Sequence, residues 1–120
     1  MMTLSVLQHV ADLEAEIHAK LPENYRRFLV EDVGEADACE VRIGADEFAS
    51  FYGAHVLGER NQTYDVQSAS PGFLMIGQDG DLGYFIHTER GSDVIYSQDL
   101  GALGILEMDV VAADIYDLAG

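Results

Sequence analysis

Cysteine is almost absent from this 120-residue sequence, which contains Cys39 and no other. A single thiol cannot form an intramolecular disulfide, and it suits a reducing compartment. The first ten residues carry no basic region ahead of a long apolar stretch, so we expect no secretory signal. No apolar run approaches the ~20 residues that a membrane-spanning helix needs. These absences predict a cytoplasmic protein.

Positive charge is also scarce, with 6 Lys and Arg residues against 22 Asp and Glu and a formal net charge of −16. Affinity for nucleic acid comes largely from cationic side chains that release counterions from phosphates, so nucleic acid is not expected as a partner. An anionic membrane surface is disfavoured for the same reason. A basic protein would instead be attracted over a long range at low salt. The alternative is that the acidity serves solubility alone.

Sequence motifs for the common catalytic and metal sites are missing as well. The four histidines, His9, His18, His55 and His87, have no companion at metal-ligand spacing. The sequence has no His-Glu-x-x-His, Cys-x-x-Cys, Gly-x-Ser-x-Gly or Gly-rich phosphate loop. Asp79-Gly80-Asp81 lacks the other ligand positions of an EF-hand and is interpreted as a turn. We therefore predict no enzyme activity, no cofactor and no metal ion.

Apolar residues, in contrast, are plentiful at 48% of the sequence, enough for one folded domain over all 120 residues. They recur every three or four positions over residues 4–21, which predicts a helix with Ser5 and Gln8 as its capping box. Pro22 suits the first turn of a second helix, and Gly34 suits its end. The chain is therefore expected to open with two helices.

The middle of the chain is predicted to hold one strand and one helix. Residues 39–43 alternate between apolar and polar, as in a strand with one buried face. Phe48, Tyr52 and Val56 recur every four residues, which predicts a helix over 45–57 that Gly58 would end. Residues 58–72 are polar and rich in turn formers, with a short strand expected at 63–66.

The clearest pattern is a series of strands in the second half. Residues 73–77 and 82–87 are apolar, and the Asp79-Gly80 pair between them supplies the positive φ angles of a tight turn. A second turn at 90–93 leads into a strand at 94–96, and a last strand at 105–111 precedes a short helix at 114–119. The expected fold class is α+β, a mostly antiparallel sheet with the N-terminal helices packed against it.

Side-chain burial follows from these assignments. Cys39 lies on the apolar phase of its strand, so we expect an inert core thiol rather than a nucleophile. Six aromatic residues fall on predicted buried faces: Tyr25, Phe28, Phe48, Tyr52, Phe73 and Phe85. Four others are candidates for exposed rings at an interface: Tyr64, Tyr84, Tyr96 and Tyr116.

Three stretches resemble the SUKH superfamily, which groups bacterial toxin-immunity proteins with a fungal regulator of cell-wall synthesis. Residues 21–29, Leu-Pro-Glu-Asn-Tyr-Arg-Arg-Phe-Leu, resemble the family's Leu-Pro, Tyr and Phe-Leu signature at the second helix. Residues 73–77, followed by Gly80 and Gly83-Tyr84, resemble its central strand and glycine turn. Residues 94–96 and 111–118 resemble its closing strand and terminal helix. The family often has Asn-Gly-Gly after its second helix, where this chain has Asp-Val-Gly-Glu at 32–35.

The resemblance implies an α+β domain and, in bacterial members, a protein that neutralises a toxin, frequently a nuclease. It brings no catalytic residues with it. A protein partner is therefore expected, a basic toxin domain whose active site this chain blocks. Acidic side chains on predicted loops and turns are the candidate contacts, because they are placed to reach such a partner: Glu35, Asp37, Asp79, Asp81, Glu89, Asp93 and Asp99.

Two other functions stay open on the sequence alone. A regulatory or scaffold module, like the fungal branch of the family, would hold an endogenous partner through an apolar patch and bind equally well at high salt. A small hydrolase would use paired carboxylates, such as Glu14 and Glu16, with a divalent metal. The sequence defines neither the toxin nor the oligomeric state.

Overall fold

The sheet has six strands that lie side by side in the order of the chain, and every neighbouring pair is antiparallel. A computed structural model describes residues 2–43, 46–89 and 91–119. Within them the strands are β1 Ala38–Arg42, β2 Phe48–Tyr52, β3 Phe73–Asp79, β4 Leu82–His87, β5 Ile95–Asp99 and β6 Asp109–Ala112. The predicted α+β class with a mostly antiparallel sheet is confirmed.

The helices of the described residues are mostly short. They are α1 Met2–Ile17, α2 Glu23–Phe28, α3 Leu57–Thr63, α4 Val66–Ala69 and α5 Ile115–Ala119. A π-helical turn, Leu29–Val33, continues α2, and a 3-10 turn, Leu100–Ala102, follows β5. None of these helices is long and apolar enough to cross a membrane.

One face of the sheet packs against α2 and α5. The ring of Phe28 on α2 meets the edge of Phe51 on β2, with centroids 6.0 Å apart, and also the edge of Tyr116 on α5 at 6.2 Å. Phe51 in turn contacts Tyr84 of β4 at 5.5 Å. These contacts bury large apolar surfaces, the main favourable term in folding. The predicted packing of the N-terminal helices against the sheet is confirmed for α2.

The first helix is shorter than the pattern indicates. It begins at Met2, so Ser5 lies inside it and the predicted capping box is wrong; the Gln8 amide donates to Asp12 Oδ1 at 2.9 Å instead. The helix ends at Ile17, because His18 adopts a positive φ of 56°. Leu21 is buried outside the helix.

The second helix matches its prediction. Pro22 directly precedes α2, and its carbonyl accepts the hydrogen bond of the Arg26 N–H at 2.9 Å. The chain leaves the π-helical turn at Gly34, whose φ of 59° favours glycine. The Gly34 N–H donates to the carbonyl of Leu29 at 3.0 Å, which closes the turn.

The helix predicted over residues 45–57 is wrong, and Ala45 lies outside the described residues. Residues Phe48–Tyr52 form β2, which pairs with β1 along its whole length. Residues four apart share a face in a strand as well as in a helix, so the spacing of Phe48 and Tyr52 fits both. Phe48 is 53% exposed rather than buried as predicted.

The segment after β2 is helical, where a polar loop was predicted. Gly58 lies within α3 instead of ending a helix, and the strand predicted at 63–66 is absent, since α3 ends there and α4 begins at Val66. The side chain of Asn61 fixes α3 to the sheet. Its Nδ2 donates to Met75 O at 3.0 Å, and its Oδ1 accepts from Met75 N at 2.8 Å. Asn61 thus supplies hydrogen-bond partners for the backbone groups of β3 that lie beyond its pairing with β2.

The meander in the second half is confirmed. Gly80, with φ of 57°, turns the chain between β3 and β4, and β5 and α5 follow close to their predicted positions. The last strand is shorter than predicted, because it begins at Asp109 and leaves Ile105 and Leu106 exposed before it. Tyr84 and Tyr96, predicted as exposed rings, are buried.

Candidate functional site

The register of the sheet divides the predicted contact residues between its two ends. Strand β3 has seven residues at ~3.3 Å each, so the ends lie about 20 Å apart. One end, where β3 meets β4 and β5 finishes, holds Asp79, Asp81 and Asp99. The other end, before β1 and between β4 and β5, holds Glu35, Asp37, Glu89 and Asp93. The seven residues therefore do not form one surface.

An exposed leucine lies between two carboxylates at the first of these ends. Leu82 pairs with Asp79 of β3 on one side and with Asp99 of β5 on the other. Directly opposed residues of antiparallel strands project to the same face of a sheet. Leu82 is 37% exposed, and both aspartates are exposed. The three side chains thus present an apolar centre flanked by negative charge.

Further residues extend this surface onto the neighbouring strands. Glu47 and Phe48 lie where β2 begins, with Phe48 on the opposite face of the sheet from Leu82, and Asp109 of β6 pairs with Ser97 of β5. Burial raises the pKa of the Tyr84 hydroxyl, and the carboxylates of Asp79 and Glu47 raise it further, so both acids lie near that ring. We call this surface the acidic end of the sheet. It comprises Glu47, Phe48, Asp79, Asp81, Leu82, Asp99 and Asp109.

Hydrogen bonds from side chains and backbone hold the turns of the acidic end in place. The amide of Gln78 donates to Gly80 O at 2.9 Å, and Leu100 N donates to Asp81 O at 2.8 Å. The Asp99 carboxylate accepts from Gly101 N at 2.8 Å, which caps the 3-10 turn. The carboxylates of Asp79 and Asp81 accept no hydrogen bond from the described residues and face solvent. A partner would therefore meet a preorganised backbone with two carboxylates available.

Arg42 of β1, which pairs with Phe48, and Arg60 both lie beside this surface, and Arg60 is held by aromatic rings. Its guanidinium lies over the ring of Tyr52 at 5.4 Å and over that of Tyr64 at 5.3 Å. It donates to Gln78 Oε1 at 3.1 Å, and the Tyr52 hydroxyl donates to the same oxygen. One of the six cations of the chain is therefore committed to cation–π contacts and an amide.

At the opposite end, two predicted contact residues have structural partners. Asp93 Oδ1 accepts from the backbone N–H groups of Asn24 and Tyr25, both at 3.1 Å, and so caps the start of α2. Asp37 Oδ1 lies 2.7 Å from Nε2 of His55, whose ring is 5.4 Å from that of His9. These contacts explain the two aspartates through the fold, without a partner protein.

Among the described residues, no group of three His, Cys, Asp or Glu side chains could hold a metal ion. Cys39 is partly buried, and this burial, together with the carboxylate of Asp32, raises the pKa of its thiol. A raised pKa lowers the thiolate fraction at neutral pH, and the thiolate is the nucleophilic form.

Sequence reasoning found three members of the acidic end and missed four. Asp79, Asp81 and Asp99 were candidates because they follow predicted strands. Glu47 and Phe48 were assigned to a helix, so their place at a sheet end was hidden. Leu82 counted as one apolar residue of a buried strand, and Asp109 fell inside a predicted strand. The alternation of residues along β4 would identify Leu82 as part of this surface only if the pairing register of the strand were already known.

The structure defines the protein as an α+β domain with a six-stranded antiparallel meander. A scan against protein-family models finds no matching family, and a search of the curated proteins finds no significant relative. The resemblance to the SUKH superfamily therefore stays a prediction that rests on the sequence stretches quoted above.

Proposed function

We propose that this chain is an immunity protein that binds a basic toxin domain through the acidic end of the sheet and covers the active site of the toxin. The supporting observation is the exposed Leu82 between the carboxylates of Asp79 and Asp99. Stable protein interfaces commonly combine an apolar centre with a polar rim. The family resemblance supports the same function independently.

Charge and burial have separate roles in this proposal. The net charge of −16 attracts a basic partner before contact, which accelerates association at low salt. A nuclease binds phosphates and therefore presents cationic side chains that carboxylates can pair with. Leu82 is 37% exposed, so burial of this exposed part of its side chain contributes less than about 1 kcal/mol, which slows dissociation modestly.

A charge-reversed variant tests the acidic end. The partner is first recovered on the immobilised chain from a lysate of the source organism at low salt, eluted with a salt step and identified by mass spectrometry. The double variant Asp79→Lys, Asp81→Lys should then associate with the recovered toxin domain at least about tenfold more slowly in stopped-flow measurements. It should also fail to rescue the growth of cells that express the toxin.

A matched variant separates local from global charge. Glu31→Lys, Glu59→Lys makes the same change in net charge on exposed helical positions away from the acidic end. Its association should slow only as far as the lower net charge weakens the long-range attraction, and therefore less than that of the Asp79→Lys, Asp81→Lys variant. Equal slowing by both variants would remove the acidic end from the interface. A chain that captures no toxin and rescues no growth would contradict the immunity function itself.

One observation favours the alternative, a regulatory or scaffold module with an endogenous partner. Near the β6 edge of the sheet, four large apolar side chains are exposed: Ile105, Leu106, Val110 and Val111. An interface on this surface would depend on apolar burial, and salt weakens such contacts little. A housekeeping protein that stays bound through the salt step would support this function over immunity.

A further inference from the structure

A cleft lies at the end of the sheet opposite the acidic end. It has a volume of about 350 Å³ and is formed by α1, α3, α4 and the segments that flank β3 and β4. Part of its wall is apolar and comes from Leu13, Ile17, Phe73 and Leu74. A volume in this range suits a small ligand or a single long side chain.

Two glutamates line the cleft, each close to a glycine. A Cβ atom on Gly58 would lie 3.5 Å from both carboxylate oxygens of Glu16. A Cβ atom on Gly72 would lie 3.3 Å from Oε2 of Glu89. Glu16 is on α1, and Glu89 follows β4, so the two carboxylates reach the cleft from different parts of the fold. Both side chains are exposed and available to a ligand.

Three side chains around the cleft use their hydrogen-bond donors within the protein. Asn61 Nδ2 donates to Leu57 O at 2.8 Å and to Met75 O. Gln67 Nε2 donates to Asn61 Oδ1 at 3.0 Å and to Phe73 O at 2.8 Å. The Thr88 hydroxyl donates to Gly72 O at 3.1 Å. The groups left for a ligand are the two carboxylates and the exposed side-chain amide of Gln62, and the two negative charges disfavour an anion.

We infer that this cleft binds the side chain of an arginine, or a ligand with the same aliphatic stem and guanidinium group. The stem would lie along the apolar wall, as the stems of long cationic side chains do. The guanidinium has five N–H donors in a planar fork, which matches two carboxylates approaching from different sides. The described residues offer no three-ligand metal group that would favour a metal ion instead.

Nuclear magnetic resonance with model compounds tests this inference. The ¹⁵N-labelled chain is titrated with Nα-acetyl-arginine methylamide, and separately with the norleucine and lysine analogues. The arginine compound should cause saturable shifts of the backbone amides of Gly58, Gly72 and Thr88. The norleucine compound, which has no charge, should cause little change. The lysine compound, which lacks the planar fork, should bind more weakly.

Variants of the two carboxylates complete the test. Glu16→Gln with Glu89→Gln should weaken arginine binding about tenfold, because charge-assisted hydrogen bonds are lost. Glu31→Gln with Glu40→Gln removes the same charge from exposed positions outside the cleft and should leave binding unchanged. Equal binding of norleucine or lysine, or no effect of the first pair, would overturn the inference. The proposed toxin interface lies at the other end of the sheet, so either proposal can fail alone.

Discussion

The hydroxyl group of Tyr25 is buried without a hydrogen-bond partner among the described residues. An unsatisfied buried hydroxyl costs about 1–3 kcal/mol. Tyr25→Phe removes that group and keeps the ring, so we expect the free energy of unfolding in urea to rise by about 1 kcal/mol. Tyr52→Phe is the matched control, because the Tyr52 hydroxyl donates to Gln78 and its loss should destabilise. A fall in stability for Tyr25→Phe would show that the hydroxyl has a favourable partner.

High pH should act on the same hydroxyl. Burial raises the pKa of Tyr25 above its ordinary value of about 10. The unfolded chain loses this proton above about pH 10 while the folded chain keeps it, so stability is full below that pH and falls above it. Each such tyrosine contributes a slope of up to about 1.4 kcal/mol per pH unit. Between about pH 8 and about pH 11, the free energy of unfolding in urea should fall less steeply for Tyr25→Phe than for the unmodified chain. An equal fall in both would contradict the assignment to Tyr25.

At the scale of the element, Asp93 joins the β4–β5 connection to the start of α2. Its carboxylate accepts from two backbone N–H groups that the first turn of a helix leaves unpaired. Asp93→Ala should lower the free energy of unfolding by about 1 kcal/mol, and Asp93→Asn by less, because the amide oxygen can still accept. Glu35→Ala, which removes the same charge from an exposed connection, should have little effect. Equal losses for Asp93→Ala and Glu35→Ala would exclude the cap.

The elements differ in how far local sequence determines them. The β3–β4 hairpin could be predicted because its turn residues and its strands lie within one short stretch. Strand β2 could not, because Phe48 and Tyr52 fit a helix and a strand equally and only pairing with β1 decides between them. Helix α3 was missed because one of its buried residues is the polar Asn61, whose backbone partner on β3 is 14 residues away. The acidic end depends on register across five strands, so sequence reasoning found three of its aspartates and neither of its apolar residues.

At the scale of the whole molecule, few ion pairs between described residues offset the negative charge of the chain. Among the described residues, Lys20 lies 3.9 Å from Glu14, with a side chain 91% exposed, and His55 pairs with Asp37. Exposed pairs of this kind contribute little to stability. Repulsion among the other carboxylates should therefore dominate the electrostatic energy of the folded state. Unfolding relieves this repulsion, because the expanded chain holds its charges further apart.

Salt should accordingly stabilise the protein. Raising NaCl from about 0.01 M to about 1 M shortens the Debye length from about 30 Å to about 3 Å, which screens repulsion across the surface. We expect the Tm in a thermal scan to rise by several degrees, since about 1 kcal/mol corresponds to about 4 °C. Asp79→Lys with Asp81→Lys lowers the excess of negative charge and should reduce this salt response. A Tm that falls with salt would mean that attractive pairs outweigh repulsion, and the acidity would then reflect internal stabilisation rather than a surface kept for a basic partner.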